Sequence, residues 1–94
     1  LQDQPHILVV DDDDRLRALL TRFLTGQGFY VSAAASAQEA RQWLSLFAFD
    51  LLVLDVMMPG ESGLSLASSL RAAADAPPVL MLSARTEAED KVNG

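Results

Sequence analysis

The chain has 94 residues, half of them hydrophobic, which is enough for one domain with a small core. Its formal net charge of −6 argues against direct binding of a nucleic acid backbone, which needs clustered lysine and arginine. The absence of cysteine excludes disulfides, thiolate metal sites and a cysteine nucleophile. No apolar run approaches the roughly 20 residues of a membrane span, and we expect a cytoplasmic protein without membrane contact.

The amino-terminal part predicts a buried strand followed by an amphipathic helix. The apolar run 6–10 is typical of a strand that is buried on both faces. After it, leucine and phenylalanine recur at steps of three and four residues, which predicts one face of a helix. Asp12 or Asp13 is the expected N-cap, and Gly28 is the expected stop.

The middle of the chain predicts a second helix between two further strands. Residues 29–33 predict a weaker second strand, and residues 50–55 predict a third. Ser36 and Glu39 have the spacing of a capping box, in which the serine caps the helix that follows. The apolar positions expected on this helix are Ala40, Trp43, Leu44 and Phe47.

The last third predicts one more helix and one more strand. The turn-rich loop 58–63 precedes a third helix over 64–74, and a fourth strand is expected over 79–83. Another helix is expected to start near Thr86. The inward positions expected on the third helix are Leu66, Ala67, Leu70 and either Ala73 or Ala74. Alternating strands and helices of this kind predict an α/β fold around a parallel sheet.

Polar residues follow three of the predicted strands. Asp11 and Asp12 come after the first strand, Asp55 ends the third and Ser83 ends the fourth. Because ligands of open parallel sheets bind at the carboxyl ends of the strands, these side chains are expected to converge on one rim. Carboxylates that meet there need a cation, and ligands that are all oxygen favour Mg²⁺ over Ca²⁺. Such an arrangement suits phosphoryl transfer.

Three segments resemble the receiver domain of bacterial two-component response regulators. They read "ILVVDDDDRLRALLTRFLTGQGFYV", "DLLVLDVMMPGESGL" and "PPVLMLSAR". These segments are most similar to the OmpR/PhoB type, whose full-length members carry a DNA-binding winged helix and regulate transcription. The resemblance covers essentially the whole chain. It implies a flavodoxin-like (CheY-like) doubly wound sheet with strand order 2-1-3-4.

The resemblance also implies a role for each residue on the rim. Asp55 would accept a phosphoryl group from a histidine kinase, and Ser83 would hydrogen-bond that group. Mg²⁺ would be held by Asp11, Asp12 and Asp55 together with the backbone carbonyl of Met57. Such a protein is a phosphoacceptor switch, not an enzyme with a separate substrate, since it catalyses only its own phosphorylation and dephosphorylation.

One departure concerns the carboxyl-terminal part of the family's pattern. Receiver domains continue into a fifth strand that ends in a lysine, and then into a fifth helix. Lys91 lies within the predicted fourth helix and is not that lysine. We therefore expect 1–94 to be a C-terminally incomplete receiver domain. Its fourth strand would then be an open sheet edge, through which the chain would self-associate as a dimer.

Two other functions fit parts of the sequence. In a haloacid-dehalogenase-type phosphatase, Asp11 would be the nucleophile and Asp13 the general acid, but Asp55 and the loop after it would have no role. An inert receiver-like interaction module is the third possibility. Asp13 and Asp14 are otherwise expected to be caps in the first turn of the helix. The side chains expected at the surface are His6, Arg15, Arg17, Arg22 and Arg41.

Overall fold

Strands and helices alternate along the chain in the predicted order. The computed structural model describes residues 4–56, 58, 63–73 and 76–82. The strands are β1 His6–Val10, β2 Tyr30–Ala34, β3 Leu51–Asp55 and β4 Val79–Leu82. The helices are α1 Asp14–Gly26, α2 Ala37–Leu46 and α3 Gly63–Arg71.

The four strands form one parallel sheet in the order β2-β1-β3-β4. This order confirms the predicted α/β fold with a doubly wound, flavodoxin-like sheet. The register pairs Val10 of β1 with Leu54 of β3, and Asp55 with Leu82 of β4. The residues that follow β1 and the last residue of β3 therefore lie side by side at one edge of the sheet.

Alternate residues of the strands supply two hydrophobic layers, one on each face of the sheet. Leu8 and Val10 belong to the larger layer, which lies beneath α2 and α3. Ile7 and Val9 belong to the other layer, which lies beneath α1. All four side chains are at most 2% exposed, as expected for a strand that is buried on both faces.

Helix α1 begins and ends through local hydrogen bonds. Asp13 is its N-cap, and its side chain accepts hydrogen bonds from the backbone of Arg15 and Leu16. Gly28 follows the helix with a φ of 99°, a conformation that glycine adopts without steric cost. The chain then enters β2 one residue later than the sequence predicts.

Helix α2 begins with a variant of the predicted capping box. The Ser36 hydroxyl accepts a hydrogen bond from the Glu39 amide at 3.1 Å. The Glu39 carboxylate accepts one from the amide of Ala35, the residue before the cap, at 2.8 Å. The expectation that Phe47 lies on this helix is wrong, because the helix ends at Leu46 and Phe47 is its C-cap, 50% exposed.

The single tryptophan of the chain covers an edge of the sheet. The indole N–H of Trp43 donates to the backbone carbonyl of Ala33 in β2 at 3.1 Å. The amide of Tyr30 donates to the carbonyl of Pro5, and the carbonyl of Ala34 accepts from the amide of Asp11. Both bonds run toward the residues that flank β1. Since backbone groups alternate in direction along a strand, the carbonyl of Ala33 points to the outer edge of β2. Trp43 therefore satisfies an edge carbonyl that would otherwise be open.

His6 departs from its expected surface position. It is half-buried, and its ring lies 4.5 Å from that of Tyr30 and 4.1 Å from that of Phe49, measured between centroids. A hydrogen bond of 2.8 Å joins its Nε2 to the hydroxyl of Ser32. His6 therefore contributes to the packing at the amino-terminal end of the sheet.

Helix α3 is shorter than the sequence predicts. It ends at Arg71, and Ala73 is exposed beyond it. Leu66 and Ala67 are buried as predicted. Ala74, most of the loop 58–63 and the helix expected from Thr86 lie outside the described residues.

Candidate functional site

Three carboxylates meet at the carboxyl end of the sheet. Asp11 directly follows β1, and the register places it beside Asp55, the last residue of β3. One carboxylate oxygen from each of Asp11, Asp12 and Asp55 lies within 4.8 Å of the other two. The sequence prediction that these aspartates converge is confirmed in this respect.

The three aspartates differ in their exposure to solvent. Asp11 is buried, Asp55 is half-buried and Asp12 is exposed. Oδ1 of Asp11 accepts a hydrogen bond from the amide of Asp13 at 2.9 Å. Oδ2 of Asp11 is the buried side-chain oxygen for which the described residues provide no partner. An unpaired carboxylate oxygen is costly to bury, so this atom favours a bound cation.

The environment of Asp11 raises the pKa of its carboxyl group. The main cause is desolvation by burial, and the carboxylates of Asp55, Asp12 and Asp13 add to it. The hydrogen bond from the amide of Asp13 acts in the opposite direction. The negative charge at this position is therefore disfavoured until a cation is present.

The size of the repulsion can be judged from the geometry. Two unit charges 4.8 Å apart repel by about 3.5 kcal/mol at an effective dielectric of about 20, and by about 0.9 kcal/mol in bulk water. The pair formed by the buried Asp11 and the half-buried Asp55 is closer to the first limit, and pairs that include the exposed Asp12 are closer to the second. A hard divalent cation with oxygen ligands fits this donor set.

The other two aspartates of the run "DDDD" have structural roles. Oδ1 of Asp13 accepts hydrogen bonds from the amides of Arg15 at 3.0 Å and Leu16 at 3.2 Å. Asp14 forms an ion pair with Arg17. Both residues thus act in the first turn of α1, as predicted. Because Asp13 is committed to capping, it is poorly placed to be the general acid of a phosphatase.

Arg17 makes a contact with the backbone of Asp11 that the sequence does not predict. The sequence predicts that it faces solvent, but its side chain is only 20% exposed. Its Nη1 donates to the backbone carbonyl of Asp11 at 2.7 Å. Arg17 lies one turn into α1 from Asp13 and Asp14, so its guanidinium can reach back along the helix to the loop that carries the acidic residues. The three-residue spacing of Asp14 and Arg17 was the available signal.

Helix α3 begins against the backbone of Asp55. The amide of Gly63 donates to the carbonyl of Val56 at 3.2 Å. A Cβ at position 63 would overlap the carbonyl oxygen of Asp55 and lie 2.9 Å from the Cα of Val56. Glycine at this position therefore allows α3 to approach the end of β3 closely, which fixes the backbone that carries Asp55.

Two of the predicted site residues lie outside the described residues. These are Met57, expected to offer its backbone carbonyl, and Ser83, expected to hydrogen-bond a phosphoryl group. In the part of the chain that the structure describes, no helix has both the length and the apolar character needed to cross a membrane.

Curated proteins are similar to this chain over nearly its whole length. PetR of Rhodobacter capsulatus is 52% identical over 96% of this chain and 38% of its own length. The response regulator MprA of Mycobacterium ulcerans is 42% identical over 94% of this chain and 38% of its own length. The chain thus spans well under half the length of these curated relatives.

Solved structures share the fold. A response regulator receiver protein from Pseudomonas putida matches with a TM-score of 0.84 at 33% identity, over 99% of this chain and 78% of that one. The response regulator TrrA of Thermotoga maritima, solved with Mg²⁺ and BeF, matches with a TM-score of 0.72 at 28% identity, over 96% and 97% of the two chains. A complex of the histidine kinase ThkA with TrrA matches with a TM-score of 0.80 at 34% identity, over 86% and 70%.

A family model also covers almost the whole chain. Residues 7–94 match the model described as the response regulator receiver domain. The matched range contains all three clustered aspartates and the four strands, except for His6, the first residue of β1. The sheet order and the relatives agree with this match. The chain therefore belongs to the family of response regulator receiver domains.

Proposed function

We propose that this chain is a Mg²⁺-dependent phosphoacceptor that receives a phosphoryl group from a histidine kinase on Asp55. The observation that carries the proposal is the cluster of the Asp11, Asp12 and Asp55 carboxylates, together with the buried Oδ2 of Asp11, which has no hydrogen-bond partner among the described residues. TrrA, which was solved both with Mg²⁺ and BeF and with the kinase ThkA, supports the same chemistry in a similar protein.

The exposure of the three aspartates favours Asp55 as the nucleophile. Asp11 is only 2% exposed and one of its oxygens accepts the Asp13 amide, so a phosphoryl donor has little access to it. Asp12 is exposed but belongs to a loop, whereas Asp55 ends a strand that is hydrogen-bonded on both sides. Asp55 thus combines access with a fixed position, which phosphoryl transfer requires.

In the proposed reaction, a carboxylate oxygen of Asp55 attacks the phosphorus of a phosphohistidine. An O–P bond forms and the P–N bond breaks, and the electron pair of that bond remains on the imidazole nitrogen. Asp11 and Asp12, with Asp55 and the Met57 carbonyl, would hold Mg²⁺, while Ser83 would donate a hydrogen bond to the transferred group. When bound, Mg²⁺ neutralises the charge that accumulates on the phosphoryl oxygens.

The proposed product is a signalling state and not a released metabolite. We infer that the chain catalyses only its own phosphorylation and dephosphorylation, and that it does so in the cytoplasm. Relatives such as the transcriptional regulatory protein PrrA of Mycobacterium leprae are 42% identical and more than twice as long as the matched region. By analogy, the output is regulation of transcription by a DNA-binding domain outside these 94 residues.

The proposal is tested by phosphorylating the protein with a small phosphodonor such as acetyl phosphate. Acid-labile phosphate on Asp55, dependent on Mg²⁺ and absent from Asp55→Asn, is the expected result by peptide mass spectrometry. Asp50→Asn is the matched control, since Asp50 precedes the other end of β3 and bonds the amide of His6. Label on Asp11 would support the phosphatase instead, and no label would support an inert module.

We also propose that the 94-residue chain self-associates as a dimer through β4. Among the described strands, β4 is an edge whose second side has no strand partner, and its Leu80 is 53% exposed. Light scattering after gel filtration should give the mass of a dimer, and Leu80→Lys should shift it to the monomer. A monomer at every concentration of the parent chain would contradict this proposal.

A further inference from the structure

The guanidinium of Arg17 bonds both to the loop that connects β1 to α1 and to the first residue of α1. Its Nη1 donates to the backbone carbonyl of Asp11 at 2.7 Å, and its Nη2 pairs with the carboxylate of Asp14. The side chain is 80% shielded from solvent. A planar guanidinium can make both bonds in a fixed geometry, which a single ammonium cannot do.

These bonds complete the fixation of the backbone around Asp11. The Asp11 amide donates to the carbonyl of Ala34 at 3.1 Å, and Oδ1 of Asp11 accepts the Asp13 amide. The carbonyl of Asp11, which belongs to the peptide bond that leads to Asp12, accepts from Arg17. Arg17 therefore sets the orientation of the peptide plane from which Asp12 departs.

We propose that Arg17 is a positioning residue of the metal site, which orients the Asp11–Asp12 peptide so that both carboxylates reach the same cation as Asp55. This inference rests on the proposed function, because it assigns Arg17 to the Mg²⁺ site described there. Arg17 acts through the backbone of Asp11 and does not itself contact the metal or the phosphoryl group.

A purely electrostatic effect of Arg17 would have the opposite sign. A fixed positive charge near a cation site opposes Mg²⁺ binding, so its removal by itself would tighten binding. Loss of the positioning contact would weaken binding instead, as is usual for groups that orient metal ligands. The sign of the change in Mg²⁺ affinity upon neutralising Arg17 therefore separates the two effects.

The test is to measure Mg²⁺ affinity by isothermal titration calorimetry at constant ionic strength. Arg17→Met should weaken binding by about tenfold. Arg17→Lys keeps the charge but offers a single donor group, and should fall between Arg17→Met and the parent protein. Arg15→Met is the matched control: it removes the same charge from an exposed position in the same turn, so Mg²⁺ affinity should be unchanged or slightly tighter.

The thermal midpoint in EDTA provides the second measurement. A role confined to holding α1 together would lower this midpoint but leave the Mg²⁺ affinity of the folded protein unchanged. Folded Arg17→Met with parental or tighter affinity would overturn the inference. If Arg17→Met does not fold, Arg17→Lys decides, since parental affinity in that variant would also overturn it. Failure of the parent protein itself to bind Mg²⁺ would refute the proposed function, whatever the variants do.

Discussion

Replacing Asp11 with asparagine should stabilise the metal-free protein while removing its response to Mg²⁺. Asparagine has nearly the same shape, and its Oδ1 can still accept the amide of Asp13. Its side-chain N–H₂ takes the place of Oδ2, for which no described residue is a partner, and can donate to a neighbouring carboxylate. The substitution thus removes a buried charge without leaving a cavity.

The expected gain follows from the separation of the carboxylates. With the oxygens of Asp11 and Asp55 within 4.8 Å, removing one charge relieves between about 0.9 and 3.5 kcal/mol, the limits for water and for a protein surface. A gain of about 2 kcal/mol is a reasonable mean, and it corresponds to roughly 8–16 °C in the thermal midpoint of a domain of this size.

The assay is thermal unfolding followed by circular dichroism, with and without saturating Mg²⁺. In EDTA, Asp11→Asn should unfold at the higher temperature. In Mg²⁺ the parent protein should gain stability, because the cation binds the folded state, whereas the variant should gain little. Equal or lower stability of the variant in EDTA would refute the argument that these carboxylates repel one another. An equal Mg²⁺ response in both proteins would refute the assignment of Asp11 as a ligand.

Further predictions concern pH and two local contacts. Because the fold raises the pKa of Asp11 above its ordinary value of 3.8, this group favours folding at low pH and loses that contribution as the pH rises through the raised pKa. Chemical denaturation across pH should therefore show the advantage of Asp11→Asn shrinking toward acid, and a constant advantage would contradict the cause assigned here. Gly63→Ala should destabilise the fold by about 1–3 kcal/mol and slow labelling of Asp55 by acetyl phosphate, because α3 must move away from β3. Parental rates in that variant would show that the close approach is unimportant. Ser36→Ala should cost about 1 kcal/mol in urea unfolding, whereas Ser68→Ala on the exposed face of α3 should change stability little.

The convergence of the acidic residues could be predicted because it depends on few assumptions. Continuous apolar runs identify the central strands, and parallel strands place their carboxyl ends at one edge of the sheet. Asp11 and Asp55 then become neighbours although 44 positions separate them in the chain. The roles of Asp13 and Asp14 in the first turn of α1 could also be predicted, because a helix that follows a strand needs an N-cap.

The missed features depend on the direction of side chains, which sequence periodicity does not determine. Arg17 could equally have faced solvent, and its bond to the Asp11 carbonyl becomes visible only when the loop and helix are placed together. His6 packs against rings from β2 and from the segment after α2, so its burial depends on tertiary contacts. The apolar spacing extends the predicted α2 to Phe47, but the helix ends one residue before it.

The bond between Trp43 and the edge carbonyl of Ala33 makes the two margins of the sheet unequal. A strand that paired with β2 would first have to displace the indole of Trp43. The edge at β4 has no such cover among the described residues. Polymers that grow by strand addition need two open sheet edges, one on each side of every subunit. If β4 is the one open edge, strand addition would end once two copies met around a two-fold axis, so the proposed self-association would give a pair and not a fibre.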